Sequence, residues 1–270
     1  MKVGILGTGK MGGALARGLV KGGIVGLNNL IGCNDREPGR LAFQALFQPE
    51  PVVTCADLGD WLPYLDVILL SIKPQQFKTA LGALQGYRPE TLFISVAAGI
   101  STTQIETLLG GAPRVVRAMP NTPCLVGEGV SAYCGGTYAT ESDLVMAEKF
   151  LASVGAVCRV NEDQINIVTA LSGSGPAYAF HFVNGLVDGA VKLGLSPELA
   201  RTLAVQTVRG SMGLMNQSLL SPLELAAQVK SPGGTTLAGC AILEQAGFEE
   251  ILQKTVAAAK ARADELASLS

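Results

Sequence analysis

A single histidine, His181, stands in 270 residues, beside one tryptophan and an aromatic share of only 5%. One imidazole cannot complete the usual Cys/His ligand set of a zinc site, so no metal is expected. The six cysteines, Cys33, Cys55, Cys124, Cys134, Cys158 and Cys240, contain no C-x-x-C pair. Thiols scattered in this way read as small buried hydrophobes of a reducing compartment. Charge is scarce too, at 16% of residues, with 20 basic against 22 acidic side chains and a net charge of −2. That balance lacks the basic footprint of a nucleic-acid binder. The opening MKVGILGTGKMGG has an apolar run too short for a signal peptide and broken at once by glycine. A cytoplasmic location is therefore expected. One stretch, 165–187, runs 23 residues without formal charge. It carries Asn166, Thr169, Ser172, Ser174, Pro176, His181 and Asn184, groups costly in lipid, so it reads as a helix inside protein and no membrane partner is expected.

What remains is apolar residue, at 48%, and glycine, 33 in number. Without a collagen period, that glycine belongs in tight turns and close backbone contacts. The first part of the chain alternates short Val/Ile/Leu runs with helical patterns. Strands are predicted at 2–6, 30–33, 52–55, 67–71, 92–96 and 115–119, with two short ones at 131–134 and 156–160. Helices are predicted at 11–21 and 102–109. Strands alternating with helices imply βαβ units and a mostly parallel sheet. From about Asn161 the sequence turns all-helical. Helix starts are marked by Asn161 with Gln164, Pro176, Ser196-Pro197-Glu198 and the capping box Ser221-Pro222-Leu223-Glu224. A further helix follows Ser231-Pro232-Gly233-Gly234-Thr235-Thr236 to about Gly247, and a last one runs from about 248 to 267. The expected division is 1–161, an α/β domain, and 162–270, a helical one. Several of these helices are apolar all round and need protein on every side, which predicts a homodimer or an assembly of dimers.

Gly7-Thr8-Gly9-Lys10-Met11-Gly12 is a G-x-G-x-x-G between a predicted strand and a predicted helix. In that context it is the turn of a Rossmann-like dinucleotide site. Gly7 permits the turn, Gly9 lets the backbone approach a pyrophosphate, and Gly12 lets helix and strand pack closely. The second strand ends in Asn34-Asp35-Arg36. An acid there suits a ribose 2′-hydroxyl and an arginine a 2′-phosphate. Both are present; Asn34 and Arg36 favour NADPH, with NADH as the alternative.

Four more segments narrow the chemistry. Ser71-Ile72-Lys73-Pro74-Gln75, Ser95-Val96-Ala97-Ala98-Gly99 and Arg117-Ala118-Met119-Pro120-Asn121-Thr122-Pro123 follow the fourth, fifth and sixth strands. Leu171-Ser172-Gly173-Ser174-Gly175-Pro176-Ala177-Tyr178 marks the domain junction, where the glycines are expected to break a helix. Together with residues 231–236, this ordered set resembles the pyrroline-5-carboxylate reductases, from Lys2 to about Phe248. The resemblance implies an NAD(P)H-dependent oxidoreductase that reduces the cyclic imine 1-pyrroline-5-carboxylate to L-proline. It implies an N-terminal Rossmann-like, mostly parallel sheet and a C-terminal helical dimerisation domain. Gly234, Thr235 and Thr236 are then expected to hold the substrate carboxylate, the Thr236 hydroxyl to reach the ring nitrogen, and Ser231 to shape the pocket. The cofactor is expected on residues 7–12, on Asn34, Asp35 and Arg36, on Ser71, Ile72, Lys73 and Pro74, on Val96, Ala97 and Ala98, and on Asn121. Two places depart from the family pattern. Ser218-Leu219 stands where many members carry an acid, and Ala56-Asp57-Leu58 where many carry an asparagine.

Two other functions share parts of this pattern. A β-hydroxyacid dehydrogenase would also pair the glycine turn with a helical domain, but it needs a lysine opposite the nicotinamide and none lies between Asn161 and Val191. A non-catalytic NADPH-binding protein would keep residues 7–12 and turn over nothing. His181, inside a long apolar helix, reads as a core or interface side chain, since hydride transfer to a protonated imine needs no strong base.

Overall fold

A computed structural model describes residues 1–269. Its chain divides into two compact units, residues 1–174 with the chain from Ala259 onward, and Gly175–Ala258.

The first unit is built on one eight-stranded sheet. Its strands are β1 (Val3–Leu6), β2 (Leu30–Cys33), β3 (Val53–Cys55), β4 (Val67–Leu70), β5 (Leu92–Ser95), β6 (Arg114–Met119), β7 (Gly129–Gly135) and β8 (Gly155–Arg159). They lie in the order β3-β2-β1-β4-β5-β6-β7-β8, parallel throughout except where β7 meets β6 antiparallel. Strands buried on both faces need apolar residues at consecutive positions, which is why β2, β4 and β5 read as unbroken runs. Within them alternate residues serve opposite cores. Ile5, Leu30, Leu69, Ile94 and Val116 face one cluster, while Ile31, Leu70, Phe93 and Val115 face the other. The chain leaves β1 for β2 and β3 on one side, then returns to β4 on the other. A crevice opens at such a reversal, beyond the carboxyl ends of β1 and β4.

The first unit also holds α1 (Lys10–Lys21), α2 (Glu37–Ala45), α3 (Phe77–Gly82), α4 (Thr102–Leu109), α5 (Glu141–Ala152) and α6 (Ile165–Val168). The α4 helix has the predicted bounds and starts on a capping box, Ser101 with Gln104. After α6 comes one π-helical turn, Thr169–Gly173, where the sequence predicts a break. The turn persists because hydroxyls satisfy carbonyls in place of the regular ladder. Thr169 Oγ1 donates to Ile165, Ser172 Oγ to Val168 and Ser174 Oγ to Thr169, at 2.8, 3.1 and 3.1 Å.

The second unit comprises α7 (Gly175–Lys192), α8 (Pro197–Gln217), α9 (Pro222–Gln228), α10 (Thr235–Gln245) and the first part of α11 (Phe248–Leu269). Ala200 is the sole buried residue of α8, and α7, α9 and α10 have none. Large apolar side chains stand in the open: Phe180 is 69% exposed, Leu193 90% and Ile242 65%. No helix among the described residues is long and apolar enough to cross a membrane.

Candidate active site

The glycine turn meets its three requirements in three different ways. Gly7 has φ +97°, and its N–H donates to the Cys33 carbonyl at 3.0 Å. A Cβ there would lie 2.7 Å from the Ser71 carbonyl carbon and oxygen, while a Cβ on Gly12 would overlap the Gly7 oxygen and Ser71 Oγ. A Cβ on Gly9 would meet no chain atom within 4 Å. Gly9 is the N-cap of α1, no side chain caps that helix, and its first turn holds no acid. The opening amides of α1 therefore face open space, and the helix dipole adds positive potential there. That is the cradle a pyrophosphate needs, so the chain's residues fit a dinucleotide.

At the end of β2 a small network sets the loop. Asn34 Nδ2 donates to Thr8 Oγ1 at 2.9 Å, and Asn34 Oδ1 accepts from the Arg36 amide at 3.0 Å. Arg40 Nη1 donates to the carbonyls of Asn34 and Asp35, at 2.8 and 3.2 Å. Asn34 and Arg40 thus shape the loop, while the exposed side chains of Asp35 and Arg36 have no hydrogen-bond partner among the described residues. Arg40 is the residue that the sequence pattern undervalued.

Ser71 joins β4 to this turn. Its amide donates to the Leu6 carbonyl at 2.8 Å and its hydroxyl to Gly7 O. Beyond it, Lys73 is exposed, and Pro74 opens a short 3-10 turn. After β5, Val96 N–H donates to the Leu70 carbonyl at 3.0 Å, Ala97 is buried and Ala98 is exposed. Gly99, with φ +78°, bends the chain beside Leu266. A hollow of about 240 Å³ lies here, lined by Ala98, Gly99, Asn166, Thr169, Ser174 and Arg262 among others. That is below the ~300–1,000 Å³ of a whole ligand pocket and can take one ring, not a dinucleotide.

Asn121 is buried, with Oδ1 accepting from Val130 N at 2.9 Å and Nδ2 donating to Ser172 O at 3.2 Å. Its amide ties β6 to the π-helical turn and keeps one N–H uncommitted. Glu162 accepts from Thr102 N at 2.8 Å and from Arg117 Nη1 at 3.2 Å, and also from the Thr102 hydroxyl. It holds the start of α4 behind the Ala98–Gly99 bend. In the sequence it showed only as the residue after a capping asparagine.

In the second unit, residues 231–234 form a tight turn. Gly234 N–H donates to the Ser231 carbonyl at 3.0 Å, and Gly233 has φ +69° after Pro232, the residue order of a type II turn. A Cβ on Gly234 would overlap Ser231 Oγ. Gly234 is the N-cap of α10, without a capping side chain and without an acid in the first turn. Thr235 and Thr236, the first two residues of the helix, are exposed. The turn is moored by Lys230 Nζ, 2.8 Å from Glu244 Oε1. This helix start offers a carboxylate both N–H donors and dipole. His181, expected in a core or an interface, is exposed on α7.

A strand-turn-helix cradle at a sheet reversal, joined in sequence to a helical unit with an uncapped Thr-Thr helix start, defines a dinucleotide-dependent oxidoreductase. The family model described as pyrroline-5-carboxylate reductase dimerisation matches residues 162–266, and one described as NADP oxidoreductase, coenzyme F420-dependent, matches residues 2–99. Pyrroline-5-carboxylate reductases of Arabidopsis thaliana and Methanosarcina acetivorans are each 37% identical to this chain over 98% of its length, covering 95% and 97% of theirs. Among solved structures, the Plasmodium falciparum pyrroline carboxylate reductase with NADP bound has a TM-score of 0.88 at 30% identity, covering 99% of this chain and 98% of its own. The Coxiella burnetii pyrroline-5-carboxylate reductase has a TM-score of 0.88 at 34% identity, covering 98% of each chain. The chain belongs to the pyrroline-5-carboxylate reductase family.

Proposed function

We propose that this protein reduces 1-pyrroline-5-carboxylate to L-proline with NADPH. The observation that supports this reading is the uncapped start of α10, where two exposed threonines open the helix and its first turn holds no acid. NADPH, when bound, supplies the hydride. The amides of residues 9–12 hold its pyrophosphate, and Arg36 meets the 2′-phosphate. Ser71, Ile72, Lys73 and Pro74, with Val96, Ala97, Ala98 and Asn121, flank its nicotinamide half. Gly234, Thr235 and Thr236 hold the substrate carboxylate, and Ser231 shapes their turn. The Thr236 hydroxyl hydrogen-bonds the ring nitrogen, which carries a proton while the neighbouring carbon accepts hydride. A protonated imine is already electrophilic, so the chain's task is alignment rather than proton abstraction.

The division into a nucleotide domain over 1–161 and a substrate and dimerisation domain over 162–270 belongs to the same proposal. So does a homodimer, supported by the open apolar side chains of α7, α8 and α10. Sedimentation at low concentration tests it, and a monomer mass overturns it. The six unpaired thiols support a cytoplasmic location, which fractionation of the source cells tests. For the activity, the purified protein is mixed with the imine and either NADPH or NADH, and cofactor absorbance and proline are followed together. Hydroxy and keto acids form the control arm. Oxidation of NADPH with the imine alone is expected; turnover of the control acids, or of nothing, overturns the reading.

A further inference from the structure

Two thiols that hydride transfer does not use stand side by side next to the nucleotide turn. Cys33 closes β2, Cys55 closes β3, and they are register partners on neighbouring parallel strands. Both pack on the same face of the sheet. Paired positions on adjacent strands lie about 4.8 Å apart, inside the ~4.4–6.8 Å that a disulfide spans between Cα atoms. The two thiols are electrostatic neighbours, each shifting the titration of the other. Cys33 Sγ also lies 3.5 Å from the Ala56 carbonyl, and Cys55 Sγ 3.9 Å from that of Gly32.

The pair is asymmetric. Cys33 is 2% exposed, whereas Cys55 is half-buried and reachable. The neighbouring Cys33 thiol holds the Cys55 thiol below the ordinary range, with the Arg40 guanidinium adding to the effect. Cys55 beside it, with burial, pushes the Cys33 thiol up. Cys55 is thus the attacking sulfur and Cys33 the resolving one. Each residue also braces the cofactor loops through its backbone. The Cys33 carbonyl accepts from Gly7 N–H at 3.0 Å, and the Cys55 carbonyl from Asn34 N–H at 3.1 Å.

We infer that Cys33 and Cys55 form a redox-modification site that takes a low-molecular-weight disulfide as oxidant and weakens NADPH binding when closed. The Cys55 thiolate attacks one sulfur of glutathione disulfide, forming a mixed disulfide and releasing one glutathione thiolate, which takes up the proton Cys55 gave away. Cys33 then loses its proton and attacks the Cys55 sulfur, releasing the second glutathione, which takes up that proton. Two protein thiols are oxidised by two electrons, and glutathione disulfide is reduced to two thiols. Closure fixes the torsion between the ends of β2 and β3 and removes the S–H donors from the Ala56 and Gly32 carbonyls, which shifts the neighbouring carbonyls that hold Gly7 and Asn34. The effect on NADPH rests on the function proposed above; the linkage itself does not.

The whole protein is incubated with glutathione disulfide, and its intact mass, non-reducing peptide map and NADPH Kd are measured before and after dithiothreitol. Expected are a reversible Cys33–Cys55 link and a rise in Kd of about fivefold, the weight of one hydrogen bond. Cys33→Ser is expected to stop at the Cys55 mixed disulfide, and Cys55→Ser to form no link; thermal melts show that each variant is folded. Labelling of the exposed Cys158 without a Cys33–Cys55 link overturns the site. A link that leaves Kd unchanged overturns its effect on the cofactor. Reduced protein that fails to bind NADPH overturns the cofactor reading, while the peptide map still reads the thiol pair.

Discussion

The Ser71 hydroxyl donates to the Gly7 carbonyl oxygen, so the end of β4 holds the first residue of the turn that follows β1. Removing the hydroxyl leaves that carbonyl short of a donor. Ser71→Ala is expected to cost about 1 kcal/mol of stability and to raise the NADPH KM several-fold. Urea denaturation and steady-state kinetics on the same preparation check both.

Gly9 and Gly12 separate binding from folding. A methyl on Gly12 would overlap Gly7 O and Ser71 Oγ, so Gly12→Ala is expected to destabilise by about 1–3 kcal/mol and to lose NADPH. A methyl on Gly9 meets no chain atom and stands where the pyrophosphate would lie. Gly9→Ala is expected to melt within a few degrees of the parent yet bind NADPH at least about tenfold more weakly. Calorimetry beside a binding titration distinguishes the two.

Thr236→Ala removes a hydroxyl from the start of α10 and nothing from residues 7–12. Turnover of the imine is expected to fall at least about tenfold, one charge-assisted hydrogen bond, while the NADPH Kd holds. Unchanged steady-state constants for the imine refute its role.

Tyr133 gives a test in alkali. It is 3% exposed, and its hydroxyl donates to Glu148 Oε2 at 2.7 Å. Burial first, then that bond, pushes its pKa from 10.0 up to about 12. The folded state keeps the phenol proton longer than the unfolded one. This contribution is therefore complete below pH 10 and is lost as pH rises towards 12. Tyr133→Phe is expected to be less stable at pH 8 and to lack this alkaline limb, as denaturation series at several pH values would show.

Much of the sheet was legible because a strand covered on both faces is mostly apolar: Val-Ile-Leu-Leu in β4 and Leu-Phe-Ile-Ser in β5 are short runs too brief for a helix. The α4 helix was legible as a crossover between strands, and its observed bounds, Thr102–Leu109, are the predicted ones. By contrast α5 passed unread, although Thr140 and Asp143 cap it and Leu144, Ala147, Phe150 and Leu151 face the core. The tasks of Asn121 and Glu162 could not be read locally, since their partners Val130, Ser172, Thr102 and Arg117 are brought near only by the fold. The hydroxyl-stapled turn at Thr169–Gly173 eluded a reading that treats glycine and serine as helix breakers.

The helices α7, α9 and α10 contain no buried residue. Helices so short of an interior gain little cohesion from within the single chain. With the homodimer proposed above, heat tolerance would be governed by mass action, and a tenfold dilution is expected to lower the melting midpoint without any change in sequence or buffer.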